Sequence, residues 1–386
     1  MSSDGLRDVF ITGTGAFLPG ERIGNDGIEA VLGRVGGRAS AVGRRALRWN
    51  GIEGRHYALN AEGRAEHSNA SMCARALEAA LDDAGLQASA LEHMSAATTQ
   101  GDLLVPGHAT AVQAELAALT GVDRPMEVAS HQSVCASALT AAKAAWLNVR
   151  AGEAKVAAAC AGEFSSRWFR PAFYEGSSLI DARGRLALEA DFLRFTLSDG
   201  AGAVVMETAP RPQGLSLKLE WIDLTSLAGR FDPCMWAGST KDARADMAAG
   251  WSQVGPAAAQ GLGAVALLQD FDLLKIVIRA WIGVWMGKVD EGRIEPDRVD
   301  HLLCHYSAKS LREEIVGLLK STRAMIPEEK WFTTLPDSGN VGSASIWIML
   351  DAFMKSGRAK PGDRVLCIVP ESGRAMIGFM MLEVVG

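Results

Sequence analysis

Residues 126–152, MEVASHQSVCASALTAAKAAWLNVRAG, constrain the fold of this chain more than any other stretch. The segment opens with the alternation of a short strand, passes through Ser130, Gln132 and Ser133, and becomes Ala-rich from Ala136. Apolar residues then recur at helical spacing (Leu139, Ala142, Ala145, Trp146, Val149) up to a stop at Gly152. A buried strand that turns straight into a buried helix needs cover on both sides, which is the situation of an α/β sheet. Cys135 falls at the junction. A thiol there meets unpaired backbone N–H groups and the positive end of the helix dipole, which favour the thiolate. The expectation is a covalent nucleophile; the structural alternative is a small buried core residue.

The rest of the chain repeats the alternation. Residues 9–12, 94–98, 156–161, 215–224, 300–304, 365–369 and 376–384 have strand patterns, and 195–205 suggests a hairpin around Ser198-Asp199-Gly200. Residues 68–84, 109–119, 262–284, 310–320 and 343–354 have helical ones. Pro210 and Pro212 mark a boundary, dividing the chain into 1–210 and 211–386.

The net charge of -6 argues against nucleic acid as a partner, because tracking phosphates needs clustered cations. Arg34, Arg38, Arg44, Arg45, Arg48 and Arg55 are the one basic stretch, either a solvated face or a holder for a phosphorylated carrier or coenzyme tail. Six cysteines without a CxxC pair give no zinc motif and suggest free thiols in a reducing compartment. The first residues, MSSDGLRDVFITG, lack the pattern of a signal peptide, and no apolar run is long enough to span a bilayer. A cytoplasmic protein with no metal is expected.

Two further residues sit at junctions like that of Cys135. His305 follows the apolar run Leu302-Leu303-Cys304, at a strand end where open α/β sheets place their sites. Asn340 lies in the tight polar loop Asp337-Ser338-Gly339-Asn340-Val341-Gly342-Ser343, which opens a buried helix. Taken singly, each has a structural reading, as a satisfied histidine or a turn residue.

Together, these features resemble the thiolase-fold condensing enzymes, and within them the β-ketoacyl-acyl-carrier-protein synthase III group. The likeness rests on Cys135 opening its helix, LLCHYSAKSLREEI around His305, SGNVGSASIWIMLDAF around Asn340 and LSDGAGAVVME at 197–207. TTQGDLLVPGHATAVQAEL and PESGRAMIGF add to it, so it spans nearly the whole chain. The resemblance implies two similar halves in a five-layered αβαβα unit, usually dimeric, with the active site between them. It implies that Cys135 takes an acyl group from a CoA or carrier-protein thioester, with no permanently bound cofactor. His305 and Asn340 would hold the thioester enolate formed as a malonyl unit loses CO2, and the backbone N–H groups of Cys135 and Gly373 would form an oxyanion hole. Retention of Asn340 favours decarboxylative condensation over plain acyl transfer.

Some residues depart from the family pattern. Tyr306-Ser307-Ala308 replaces Gln-Ala-Asn after the histidine, and Ala136-Ser137-Ala138 replaces Ala-Gly-Phe after the nucleophile. Glu163, after the strand at 156–161, is either an additional acid/base group or a surface carboxylate; His131 and Trp168 are better explained by packing. These departures, with RRALRWNGIEGRHYAL, look more like specialised-metabolism ketosynthases, such as the branch that forms dialkylresorcinols. The segment 228–257 either lines an acyl tunnel or covers the core. The competing classes are a papain-type Cys-His-Asn hydrolase, a non-catalytic ketosynthase partner subunit, and an acyltransferase that releases no CO2. The first lacks its Cys-Gly-Ser-Cys-Trp setting.

Overall fold

In the computed structural model, which describes residues 5–60, 62–322 and 324–386, ten strands form one sheet. They are β1 (Phe10–Phe17), β2 (His93–Thr98), β3 (Glu127–Gln132), β4 (Val156–Glu163) and β5 (Gly200–Glu207), then β6 (Ser216–Ser226), β7 (His301–Cys304), β8 (Trp331–Phe332), β9 (Arg364–Glu371) and β10 (Met376–Val385). Their order is β8-β7-β9-β10-β6-β1-β5-β4-β2-β3. From the central β6–β1 pair outward, each half runs first, fifth, fourth, second and third strand. The directions match as well: β2 is parallel to β3 and β4, as β7 is to β8 and β9, and the remaining pairs are antiparallel. The halves join where Phe10 and Ile11 pair with Lys218 and Leu217.

Six helices cover this sheet: α1 (Asn69–Ala84), α2 (His108–Thr120), α3 (Ser137–Ala151), α4 (Phe271–Asp290), α5 (Lys309–Thr322) and α6 (Ser345–Lys355). Helices α1 and α2 pack on the outer face of the N-terminal half, and α4 and α5 on that of the C-terminal half. Between them, α3 and α6 share one core with strands of both halves. The result is five layers, α-β-α-β-α. Being covered on both sides, the central helices are apolar around most of their circumference; Leu139, Trp146, Ile346, Trp347 and Phe353 are all buried. Helix α1 lies directly on β1, where a Cβ at Gly13 or Gly15 would come within 2.0 or 2.3 Å of the carbonyls of Ala80 and Ala76. Glycine in the strand and alanine in the helix permit that approach.

Two sequence expectations fail locally. Residues 195–205 are not a hairpin: Phe195 ends a helix at Leu188–Arg194, and β5 begins at Gly200 to pair with β1 and β4. Ser198 and Asp199 are buried anchors, with Asp199 accepting from Ala58 N–H and Ser166 N–H. The apolar stretch from 262 becomes helical only at Phe271, because the Asp270 carboxylate caps the N–H groups of Asp272 and Leu273. Leu268 and Gln269 instead pair with Trp236 and Met235. Among the described residues, no helix is long and apolar enough to cross a membrane.

Candidate active site

Cys135, His305 and Asn340 all line one cavity of about 940 Å³, walled by residues of both halves. Each lies at the entry to a helix or just beyond a strand's end. Cys135 follows β3 and precedes α3, His305 is the first residue after β7, and Asn340 sits in the loop before α6. Met235, Ala237, Val265 and Leu267 form another wall, so the segment after β6 lines the site as well as covering the core.

The side chains are arranged as donors. Asn340 Oδ1 accepts the Gly342 N–H at 2.9 Å, which turns the amide so that Nδ2 is left without a protein partner among the described residues. His305 is buried, and its Nε2 is likewise without a partner among the described residues. Burial pushes the imidazole pKa down to about 4, so the ring is neutral at physiological pH. The backbone N–H groups of Cys135 and Gly373 also carry no other partner among the described residues. Gly373 packs against Val134, where a Cβ would meet Val134 Cγ2 at 2.8 Å; its neighbour Ser372 forms the cavity wall.

Glu163 is no surface carboxylate. It is buried in the cavity wall, and its Oε1 accepts from Thr99 N–H and Oγ1 and from Ser343 N–H and Oγ, at 2.6–3.1 Å. A single oxygen thus ties the end of β4 to the loop after β2 and to the entry of α6. Gly342, at φ 51, leaves room for it, because a Cβ there would lie 3.0 Å from Glu163 Cγ. Burial raises the Glu163 pKa, and the four donors oppose that rise.

Glu371 is the residue that sequence reasoning missed. It ends β9, the counterpart of β4 in the other half, and its Oε2 accepts the Ala136 N–H at 2.9 Å while Oε1 accepts from Ser133 Oγ. The two glutamates form a reciprocal pair: each ends a strand of one half and holds the entry of the central helix of the other. Halves this diverged leave no visible sequence repeat, so the equivalence of Glu163 and Glu371 emerges only from topology.

That carboxylate also overturns the expected thiolate. Glu371 takes a free N–H at the start of α3, and so meets the positive helix end in place of a thiolate. Burial first, then the Glu371 and Glu163 carboxylates, hold the Cys135 pKa well above its ordinary value. Resting Cys135 is a thiol. Removing one negative charge lowers the thiol pKa, so Glu371→Gln is expected to shift the midpoint of Cys135 alkylation by iodoacetamide to lower pH. An unchanged or raised midpoint would show that the Glu371 charge does not hold the thiol.

The other sequence candidates separate. Trp168 lines the cavity, whereas His131 lies on β3 away from it. Arg34, Arg38, Arg44, Arg45 and Arg48 are exposed. Arg55 is fully buried and bonded to Asn25 Oδ1 and Phe195 O, so it serves the fold and cannot meet a carrier. All six cysteines are free and buried, and the described residues contain no cluster of three metal-ligating side chains.

Residues 289–381 match the family model of the 3-oxoacyl-[acyl-carrier-protein (ACP)] synthase III C terminal. Over 362 residues, 93% of this chain and 94% of the relative, the sequence is 28% identical to the β-ketoacyl-[acyl-carrier-protein] synthase III of Paracoccus denitrificans. Among solved structures, a tetronic acid condensing enzyme superposes with a TM-score of 0.73 at 21% identity, covering 97% of this chain and 99% of that one. Xanthomonas campestris OleA, in a structure with bound lauric acid and lauroyl-CoA, does so with a TM-score of 0.70 at 19% identity, covering 99% and 100%. Along nearly its whole length the chain is thus similar to β-ketoacyl-acyl-carrier-protein synthase III enzymes, and it has their thiolase fold.

Proposed function

We propose that this enzyme loads an acyl group on Cys135 and condenses it, by a decarboxylative Claisen reaction, with a malonyl-type thioester. The observation that carries this reading is the convergence of a thiol with two unpartnered neutral donors, His305 Nε2 and Asn340 Nδ2, on one apolar-walled cavity. In the first step the Cys135 sulfur attacks the thioester carbonyl, and the carrier leaves as its thiol with the proton of Cys135. In the second, the malonyl C–CO2 bond breaks and its electron pair becomes the thioester enolate. Fixed donors lower that barrier most when they aim at the oxygen where charge grows, and His305 and Asn340 do this without a metal. The enolate carbon attacks the acyl-Cys carbonyl, whose oxyanion meets the N–H groups of Cys135 and Gly373, and Cys135 departs and regains a proton. The products are a β-ketoacyl thioester and CO2. Glu163, through its Oε2, is the candidate for an additional acid or base, and its four bonds make it a positioning residue as well.

The donor is a CoA or carrier-protein thioester, and the exposed Arg34, Arg38, Arg44, Arg45 and Arg48 suit its phosphates. We further propose a cytoplasmic homodimer with functional halves at 1–210 and 211–386. Edge strand β3 and the neighbouring Leu103, Leu104 and Val105, which are 67%, 76% and 80% exposed, support an association surface. Whether the product belongs to fatty-acid or specialised metabolism, including dialkylresorcinol formation from two β-ketoacyl thioesters, follows from the second substrate. The test is condensation with a carboxyl-labelled malonyl thioester: release of one labelled CO2 per β-ketoacyl product is expected. Product formed while the label stays in it would establish acyl transfer without decarboxylation.

A further inference from the structure

The peptide that presents the Gly373 N–H is held from behind. In a trans peptide the N–H and the C=O point in opposite directions, so whatever binds the Ser372 carbonyl aims the Gly373 N–H. That carbonyl accepts the Met235 N–H at 3.1 Å, and the next one, Gly373 O, accepts the Cys234 N–H at 2.8 Å. On its other side the loop presses on the nucleophile's own loop, where a Cβ on Gly373 would meet Val134 Cγ2 at 2.8 Å and Glu371 Oε1 at 3.0 Å. Gln269, buried opposite Met235, joins the two segments. Its Nε2 donates to Cys234 O at 2.8 Å and to Cys234 Sγ at 3.1 Å, and its Oε1 accepts from Ser372 Oγ at 3.2 Å. One residue on, the Asp270 N–H also donates to Cys234 O, at 2.8 Å.

We propose that Gln269 is a positioning residue: its amide ties Cys234 to Ser372 and thereby fixes the direction of the Gly373 N–H toward the carbonyl oxygen of an acyl group on Cys135. The inference rests on the reading of Gly373 as an oxyanion donor. Gln269 lies outside the lining of the reaction cavity and acts through its neighbours. A buried amide loses its hydration without return unless its hydrogen bonds are made, and here both the NH2 group and the oxygen are engaged. An oxyanion donor works only when it is preorganised, and a displacement of about 1 Å costs about 10²-fold in rate. The enolate donors, His305 Nε2 and Asn340 Nδ2, are carried by the end of β7 and the loop before α6, and Gln269 hydrogen-bonds to neither among the described residues. The two half-reactions therefore separate: acyl transfer to Cys135, which passes through an oxyanion at the acyl carbonyl, needs Gln269, and malonyl decarboxylation does not.

Gln269→Met keeps most of the volume and removes all three bonds. It is expected to lower the maximal rate of acyl loading on Cys135 from acyl-CoA, followed by intact mass, by about 10- to 10²-fold. The acyl-CoA concentration giving half that rate should not move, because the lost interaction belongs to the transition state. Decarboxylation of malonyl-CoA in the absence of an acyl donor should stay within about twofold of the parent rate. Ser372→Ala breaks one bond from the other side; it should slow loading several-fold alone and add nothing in the Gln269→Met background. The two variants lie in different segments, so misfolding of one leaves the other. Hydrogen exchange gives a readout independent of catalysis: the Cys234 and Met235 amides should exchange at least about tenfold faster in Gln269→Met, with residues 340–345 unaffected. Unchanged exchange at Cys234 and Met235 would overturn the clamp. Loading at the parent rate, or loading and decarboxylation falling together, would overturn the positioning role while leaving Cys135 as nucleophile. A parent protein that takes up no acyl group, although exchange still responds to Gln269→Met, would overturn the reading of Cys135 and leave the clamp standing.

Discussion

Replacing Cys135 with alanine is expected to abolish the acyl mass gain entirely and to reduce condensation by at least about 10³-fold, since the covalent route is lost with its nucleophile. The other five cysteines are buried as well, and none of them lines the reaction cavity, so no second thiol stands ready to substitute. Alanine suits the apolar core that Cys135 shares with Ala136, Ala138 and Leu139, so the variant should keep its melting temperature within a few degrees. In the proposed mechanism decarboxylation of the malonyl unit depends on His305 and Asn340, and it should therefore persist in the variant, uncoupled from carbon–carbon bond formation. Intact-protein mass spectrometry and CO2 release measured side by side give the answer. An acyl adduct that survives in Cys135→Ala would assign the nucleophile elsewhere and remove the basis of the proposed mechanism.

The second large effect concerns the enolate donors. Asn340→Ala removes Nδ2 and should leave acyl loading on Cys135 intact while slowing decarboxylation by about 10²–10³-fold, the usual worth of one preorganised donor at a developing oxyanion. Alanine also deprives the Gly342 N–H of its acceptor, so a loss could arise from a displaced loop. Asn340→Asp separates the two causes. It keeps an acceptor for Gly342 but has no donor and adds a negative charge, so it should be at least as impaired as alanine. Recovery with aspartate would mean that Asn340 acts only by holding the loop. The pH profile tests His305 in the same assay. Because burial holds its pKa near 4, the ring stays neutral above that value, and its acid limb should lie close to pH 4. A limb near the ordinary histidine value of about 6.5 would mean that the ring titrates in contact with water.

The catalytic candidates were legible in the sequence because each sits at a junction with a local signature. Cys135 stands between an alternating run and an Ala/Leu helix, His305 directly after an apolar strand, and Asn340 in a Gly/Ser loop. Such junctions are set by neighbours in the chain. The hairpin expected at 195–205 failed for the opposite reason, because Ser198 and Asp199 bind residues 56–58 and Ser166 across the fold. Gly373 could be placed only through the resemblance, since nothing in PESGRAMIGF marks which residue meets the cavity.

By itself, then, the sequence determined the alternation of buried strands and helices and the residue types proposed to carry the chemistry, because periodicity and turn residues act over a few positions. Tertiary structure decided the charge state of Cys135. A helix N-terminus at Ala136 argues for a thiolate, yet Glu371, 236 positions away from Cys135 (371 − 135), lies beside it, and burial with that carboxylate keeps the proton on sulfur. Tertiary structure also decided that Glu163 and Glu371 are partners across a pseudo-symmetric fold. Electrostatic fields and cavities depend on distances between groups remote in sequence, and those distances exist only once both halves have closed around α3 and α6.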